Sequence, residues 1–226
     1  IDISDPTNPG TPVYMDTTGE ALGVKVVGNY AYVADYTSGL AIIDISDPTN
    51  PGSPIYKDTS GYSVDISVVG NYAYVADATS GLAIIDVSNP VSPGNPVYRD
   101  TSGSAQDVAI ASNYAYIADS SSGLTVIDIS DPTNPGTPSY YDTGRISYSI
   151  AVDNDYVIIG TESSFIQIIP LNTGLIQDTA LNNATLTLAS PGATNSLGAN
   201  KAIVIDNAPA TVSSVTSTKT NGSYKA

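Results

Sequence analysis

Apolar and polar positions alternate along this chain in short runs, and the runs recur with a period of 42 residues. Ile1-Asp2-Ile3-Ser4 returns as Ile43-Asp44-Ile45-Ser46, as Ile85-Asp86-Val87-Ser88 and as Ile127-Asp128-Ile129-Ser130. At 169–172 the same slot holds Ile-Pro-Leu-Asn, a degraded copy. Each period reads as four strands. The first covers 22–27 and is matched at 64–69, 106–111 and 148–153. Its alternate positions (Val24 and Val26, Ile66 and Val68, Val108 and Ile110, Ile150 and Val152) are apolar, the mark of a half-buried strand. Gly28-Asn29 and Gly70-Asn71 follow, and both residue types tolerate the positive φ that a two-residue hairpin needs. Tyr30–Ala34 forms a second strand with both faces apolar or aromatic, as stacked sheets require. After a polar loop and Gly39, the β-branched run Leu40–Ile45 reads as a central strand. The DPTNPG stretch at 47–52 and 131–136, with NPVSPG at 89–94, breaks any ladder. A fourth strand near 54–58 begins after Pro54 and suits an outer edge. Helical periodicity is absent. A period near 40–45 made of four short strands predicts an all-β chain of propeller blades.

The copies fall at 1–42, 43–84, 85–126 and 127–168, with blades expected at 20–59, 62–101, 104–143 and 146–179. The fourth copy decays: Phe165 stands in the slot of Gly39, Thr161 in that of Asp35 and Pro170 in that of Asp44. Repeats 1–179 are therefore expected to be followed by a different segment, 180–226, rich in Asn, Thr, Ala and Gly. Because residue 1 falls inside a repeat, the chain reads as a piece of a larger ring. Four and a half blades are not expected to close one unless the strand at 12–17 completes the last blade.

Composition narrows the function. The chain has 226 residues, no Cys, no His and no Trp, and carries 22 acidic against 7 basic residues, a net charge of −15. Without His the commonest general base is missing. The strong negative charge argues against a nucleic-acid partner or an anionic membrane surface. No apolar run is long enough for a membrane span, so membrane insertion is not expected. Divalent cations or a basic partner fit the charge better.

Asp is the one plentiful reactive group. Asp35, Asp77 and Asp119 end the second strand, Asp44, Asp86 and Asp128 lie in the third, and Asp16, Asp58, Asp100 and Asp142 follow the fourth. Clustered carboxylates suit Ca²⁺. A residue repeated in every blade serves the blade more readily than a single site, however, and Asp commonly caps its own turn. Binding is expected where the copies differ. Glu20, Tyr62, Ser104 and Ile146, then Leu22, Val64, Gln106 and Tyr148, then Gly23, Asp65, Asp107 and Ser149 would ring one mouth of a propeller channel. Tyr62, Asp65, Gln106, Asp107 and Tyr148 are the candidate ligand-binding residues, against the plainer reading of a solvated rim. The pairs Tyr30/Tyr32, Tyr72/Tyr74 and Tyr114/Tyr116 are expected to pack between blades. No carboxylate pair stands out as catalytic, so no catalytic residue is assigned.

The runs NYAYVADYTSGLAIIDIS (29–46), NYAYVADATSGLAIIDVS (71–88) and NYAYIADSSSGLTVIDIS (113–130) carry a family likeness. With the following Asp-Pro, they resemble the LVIVD repeat, a β-propeller repeat of bacterial and archaeal cell-surface proteins. The likeness covers residues 1 to about 170. It implies a propeller in an extracellular setting and no general enzymatic activity. The tail LIQDTALNNATLTLASPGATNSLGANKAIVID (175–206) and the stretch after it resemble part of an Ig-like or cadherin-like module of large secreted bacterial adhesins. By that likeness Asp206 and Asn207, in Asp206-Asn207-Ala208-Pro209, are candidate Ca²⁺ ligands, beside the plainer reading of an interdomain hinge. The sequence thus points first to a non-enzymatic cell-surface scaffold or adhesion module that meets a protein or carbohydrate. A propeller binding Ca²⁺, a carbohydrate or a peptide at its channel mouth comes second, and a carbohydrate-active enzyme third.

Overall fold

The computed structural model describes residues 7, 10–153 and 156–171. Two compact units divide the chain at Leu171 and Asn172, and the described residues belong to the first. They form four antiparallel sheets in chain order. The first is β1 (Gly23–Val27), β2 (Tyr30–Ala34), β3 (Leu40–Asp44) and β4 (Ile55–Lys57), hydrogen-bonded in that order. β5 (Asp65–Val69), β6 (Tyr72–Ala76), β7 (Leu82–Asp86) and β8 (Val97–Arg99) repeat it. So do β9 (Asp107–Ala111), β10 (Tyr114–Ala118), β11 (Leu124–Asp128) and β12 (Ser139–Tyr141). The last sheet has three described strands, β13 (Ser147–Val152), β14 (Tyr156–Thr161) and β15 (Phe165–Pro170). Its expected outer strand, and the segment 180–226, lie outside the described residues.

Local chemistry sets these boundaries. Gly28 and Gly70 take φ of +56° and +58° in the two-residue turns, so Val27 pairs with Tyr30 and Val69 with Tyr72. β3 stops at Asp44, one residue short of the expected Ile45. The Asp44 carbonyl accepts the Gly52 N–H at 2.8 Å, and its carboxylate accepts the Ser46 N–H at 2.8 Å. Asp86 and Asp128 repeat both bonds. These exposed carboxylates cap their own turns, and the bonds from Ser46, Ser88 and Ser130 hold them below the usual carboxylate range. Asp47 and Asp131 do the same inside DPTNPG, accepting the N–H and hydroxyl of Thr49 and Thr133.

The core lies between sheets. Tyr32, Leu40 and Ile42 of the first sheet pack with Ile66 and Val68 of the second. Tyr74, Leu82 and Ile84 pack with Val108 of the third, and Tyr116 and Leu124 with Ile150 of the fourth. The inner member of each tyrosine pair is thus buried between blades. The outer members Tyr30 and Tyr72 are half-buried at the cluster edge, and Tyr114 is exposed. Backbone bridges Tyr36–Ser63, Ala78–Ala105 and Ser120–Ser147 join each sheet to the next. Each puts Tyr36, Ala78 or Ser120 at φ near +50°, a conformation strained for a side chain.

Candidate functional site

Two sets of carboxylates behave differently from the turn caps. The first set was expected to cap turns and does not. Asp35, Asp77 and Asp119 are fully buried, and each reaches back to the Asp-Thr-x-Gly loop that precedes its own sheet. Asp77 accepts the Thr59 hydroxyl at 2.7 Å, the Gly61 N–H at 2.8 Å and the Ser63 hydroxyl at 3.2 Å. Asp35 accepts the Thr17 hydroxyl and the Gly19 N–H. Asp119 accepts the Thr101 hydroxyl, the Gly103 N–H and the Thr125 hydroxyl. Burial raises the Asp119 carboxyl against the pull of those bonds. The glycine is required: a Cβ on Gly61 would lie 2.2 Å from the Asp77 carbonyl oxygen. The outer strand adds a clamp, since the Tyr56 and Tyr98 hydroxyls accept the Thr18 and Ser60 N–H groups. These bonds tie each Asp-Thr-x-Gly loop to the sheet that follows it.

The second set lies where the copies differ. The first strands of successive sheets, β1, β5, β9 and β13, are neighbours, and at one register they carry Gly23, Asp65, Asp107 and Ser149. Asp65 accepts the Val108 N–H at 3.2 Å and Asp107 accepts the Ile150 N–H at 2.7 Å. Each carboxylate thus holds the inner strand of the following sheet. Asp107 also lies close enough to Asp65 to perturb its titration. The Asp65 carboxyl is pushed up to about 7, first by burial, then by the neighbouring Asp107 carboxyl and its negative charge. Two adjacent carboxyls that share a proton cannot both ionise cheaply. The row has no room for a third at Gly23, where a Cβ would lie 2.7 Å from an Asp65 carboxylate oxygen.

A raised acid stabilises the fold while it stays protonated. Its contribution is complete below the unfolded carboxyl value near 4 and is lost as pH rises through about 7. Asp65→Asn keeps an acceptor for Val108 and a donor for Asp107 without the charge. We expect it to melt about 4–8 °C above the parent chain at pH 8, equivalent to about 2 kcal/mol, and to match the parent near pH 4. Melting curves of both chains from pH 4 to pH 8 check this. Parallel curves would show that the pair holds no such proton.

Of the other expected site residues, Gln106 turns inward and donates to the Ser104 hydroxyl at 2.9 Å. Tyr62 is exposed and stacks on Tyr36, with centroids 4.6 Å apart and planes 15° from parallel. Tyr148 is exposed at a register shift in β13 between Ser147 and Ser149, where a bulge re-aims a side chain. Asp65 and Asp107 are thus brought into contact, while Tyr62 and Tyr148 are presented outward. Tyr36 is a residue that sequence reasoning missed. The signal was available: where Tyr36 becomes Ala78, the partner slot of Tyr62 becomes Ser104. Among the described residues no group of three carboxylates is placed to hold a metal ion, and Asp206 and Asn207 lie outside them. No described helix is long and apolar enough to cross a membrane.

Comparison with known proteins agrees with the sheet geometry. The computationally designed Ika4 protein is similar in structure, with a TM-score of 0.56 at 7% identity over 69% of this chain and 93% of its own. The computationally designed Ika8 protein gives a TM-score of 0.55 at 11% identity, covering 68% of this chain and 46% of that one. BamB from Moraxella catarrhalis gives 0.49 at 14% identity, over 64% of this chain and 42% of that one. The chain therefore spans nearly all of Ika4 but under half of Ika8 or BamB. No curated protein matches the sequence. The LVIVD repeat matches residues 18–55, 60–95 and 102–143, together just over half of the chain. Each matched repeat covers the first three strands of one complete four-stranded sheet, and the chain belongs to the LVIVD-repeat family, with a propeller-like fold.

Proposed function

We propose that this chain is a non-enzymatic scaffold at the cell surface, which meets a protein or carbohydrate partner through the uneven rim of its blades. One observation carries the reading. The positions that differ between copies present Tyr62, exposed and stacked on the half-buried Tyr36, and the exposed Tyr148, whereas the repeated carboxylates Asp35, Asp77 and Asp119 are consumed inside the fold. Tyrosines of this kind offer large, rigid contact area with one polar tip, a common anchor for partners. The acidic surface, at net −15, favours basic or neutral partners over nucleic acid.

Enzymatic hydrolysis of sugars fits less well. Even retaining glycosidases hold their two carboxyls about 5 Å apart around the reacting carbon. Asp65 and Asp107 each accept a backbone N–H of the following sheet, so both already serve the fold. The same pair favours a second reading, a small-ligand or Ca²⁺-binding propeller, since a cation could replace the shared proton.

Binding of the labelled chain to a glycan array and to a displayed peptide library tests the first reading. A ligand class whose binding falls at least 10-fold in the double variant Tyr62→Ala, Tyr148→Ala is the expected result. Binding unmoved by that variant, together with a melting temperature raised by calcium and lowered by EDTA, would replace it with the second.

A further inference from the structure

The two end sheets each present a face that the interior sheets bury. At every internal junction the face carrying Tyr32, Leu40 and Ile42, or its equivalent, receives the first-strand residues of the next sheet. Ile66 and Val68 are 4% and 6% exposed there. One period earlier stand Val24 and Val26, which are 66% and 55% exposed. At the other end, one period after Leu124 and Val126, stand Ile166 and Ile168, which are 71% and 61% exposed. These are the two unmatched halves of one and the same junction, and their exposure shows that they do not pack on each other. An acidic chain gains nothing from displaying strongly apolar strands to water unless something covers them.

We propose that this chain associates head to tail with a second copy of itself. The Val24/Val26 face of each copy seats on the Ile166/Ile168 face of the other, so that two equivalent junctions close a two-copy ring. The register of three internal junctions defines the geometry, and the proposed contact is its continuation by one more period. A junction of unlike faces generates rings when the rotation closes. The net charge of −15 on each copy opposes the approach, so added salt strengthens the pairing.

Light scattering coupled to size exclusion tests the proposal on the full 226-residue chain. The expected mass is twice that of one chain, with a larger paired fraction at 0.5 M than at 0.05 M NaCl. Val26→Lys and Ile166→Asp each lie on exposed positions and leave the internal junctions alone, which circular dichroism and an unchanged melting temperature at dilution would verify. Each variant alone is expected to run as a single chain. Mixed together they are expected to pair again, because one junction of the mixed pair is unaltered and the other gains a Lys–Asp contact. A parent chain that stays single at 0.1 mM would overturn the proposal. So would loss of pairing in only one of the two variants, which marks a contact between like faces, or a mixture that fails to pair. Mass growing with concentration beyond two copies would equally overturn the closed pair.

Discussion

Asp77→Ala is expected to destabilise the chain by about 3–5 kcal/mol, enough to leave much of it unfolded at 25 °C. The carboxylate is fully buried and accepts three hydrogen bonds, from Thr59, Gly61 and Ser63. Its removal leaves the Gly61 N–H without its acceptor and the Thr59 and Ser63 hydroxyls with only each other, 3.0 Å apart, and each stranded donor costs about 1–3 kcal/mol before any relaxation. Asp86→Ala supplies the contrast. That carboxylate is exposed and caps only Ser88, so a loss of about 1 kcal/mol or less is expected. Urea unfolding of the two variants side by side decides the matter. Equal losses would mean that the buried bonds contribute nothing beyond an ordinary turn.

Gly81→Ala should be nearly as damaging, at about 3 kcal/mol or more. Gly81 has φ +75°, and a Cβ there would lie 2.4 Å from the Arg99 carbonyl oxygen and 2.7 Å from the Thr101 N–H nitrogen. Both obstacles are backbone, held by the β7–β8 ladder and by the Thr101 loop, so neither can rotate away. Gly28 separates the two contributions. Its φ is also positive, at +56°, but nothing lies within 4 Å of its Cβ position. Gly28→Ala is therefore expected to show the conformational penalty alone, about 1–2 kcal/mol. Thermal melts of both variants check the ordering, which the collision with Arg99 and Thr101 requires.

Much of this architecture was legible in the chain itself. The 42-residue period, the Gly28-Asn29 turn and the apolar face of Val24, Ile66, Val108 and Ile150 place strands to within a residue or two. They also point to stacked four-stranded sheets, because alternation and turn chemistry act locally. The role of Asp35, Asp77 and Asp119 was not legible in that way. Taken alone, an Asp at a strand end reads as a turn cap, and Asp44 behaves so. What separates the two is burial, a tertiary property. The clue lay 18 residues upstream, in Asp-Thr-x-Gly at 16–19, 58–61 and 100–103. In the fourth copy Arg145 takes the Gly103 slot and Thr161 the Asp119 slot, so the glycine and the buried acceptor disappear together. Phe165, exposed in the slot of Gly123, has the Arg145 guanidinium 4.2 Å from its ring centre. The positional comparison singled out Tyr62, Asp65, Gln106, Asp107 and Tyr148 as candidate binding residues. It could not tell that Asp65 and Asp107 engage each other while the tyrosines face outward, because cross-blade distances depend on the twist of whole sheets.

The stitch between Asp77 and its loop has a bearing on how such a chain can change over generations. Asp35, Asp77 and Asp119 each take their donors from within the same period, and every bridge reaches only the adjacent sheet. Misaligned recombination between the near-identical stretches 29–46 and 71–88 would add or delete one whole unit of 42 residues. The altered gene would encode a chain in which each buried acceptor still meets its own donors and each sheet still meets a fitting neighbour. Repeat number is thus open to selection in single steps, with no intermediate that must survive a broken core. The tyrosines at the rim, unlike the stitches, already differ between copies and are free to drift further.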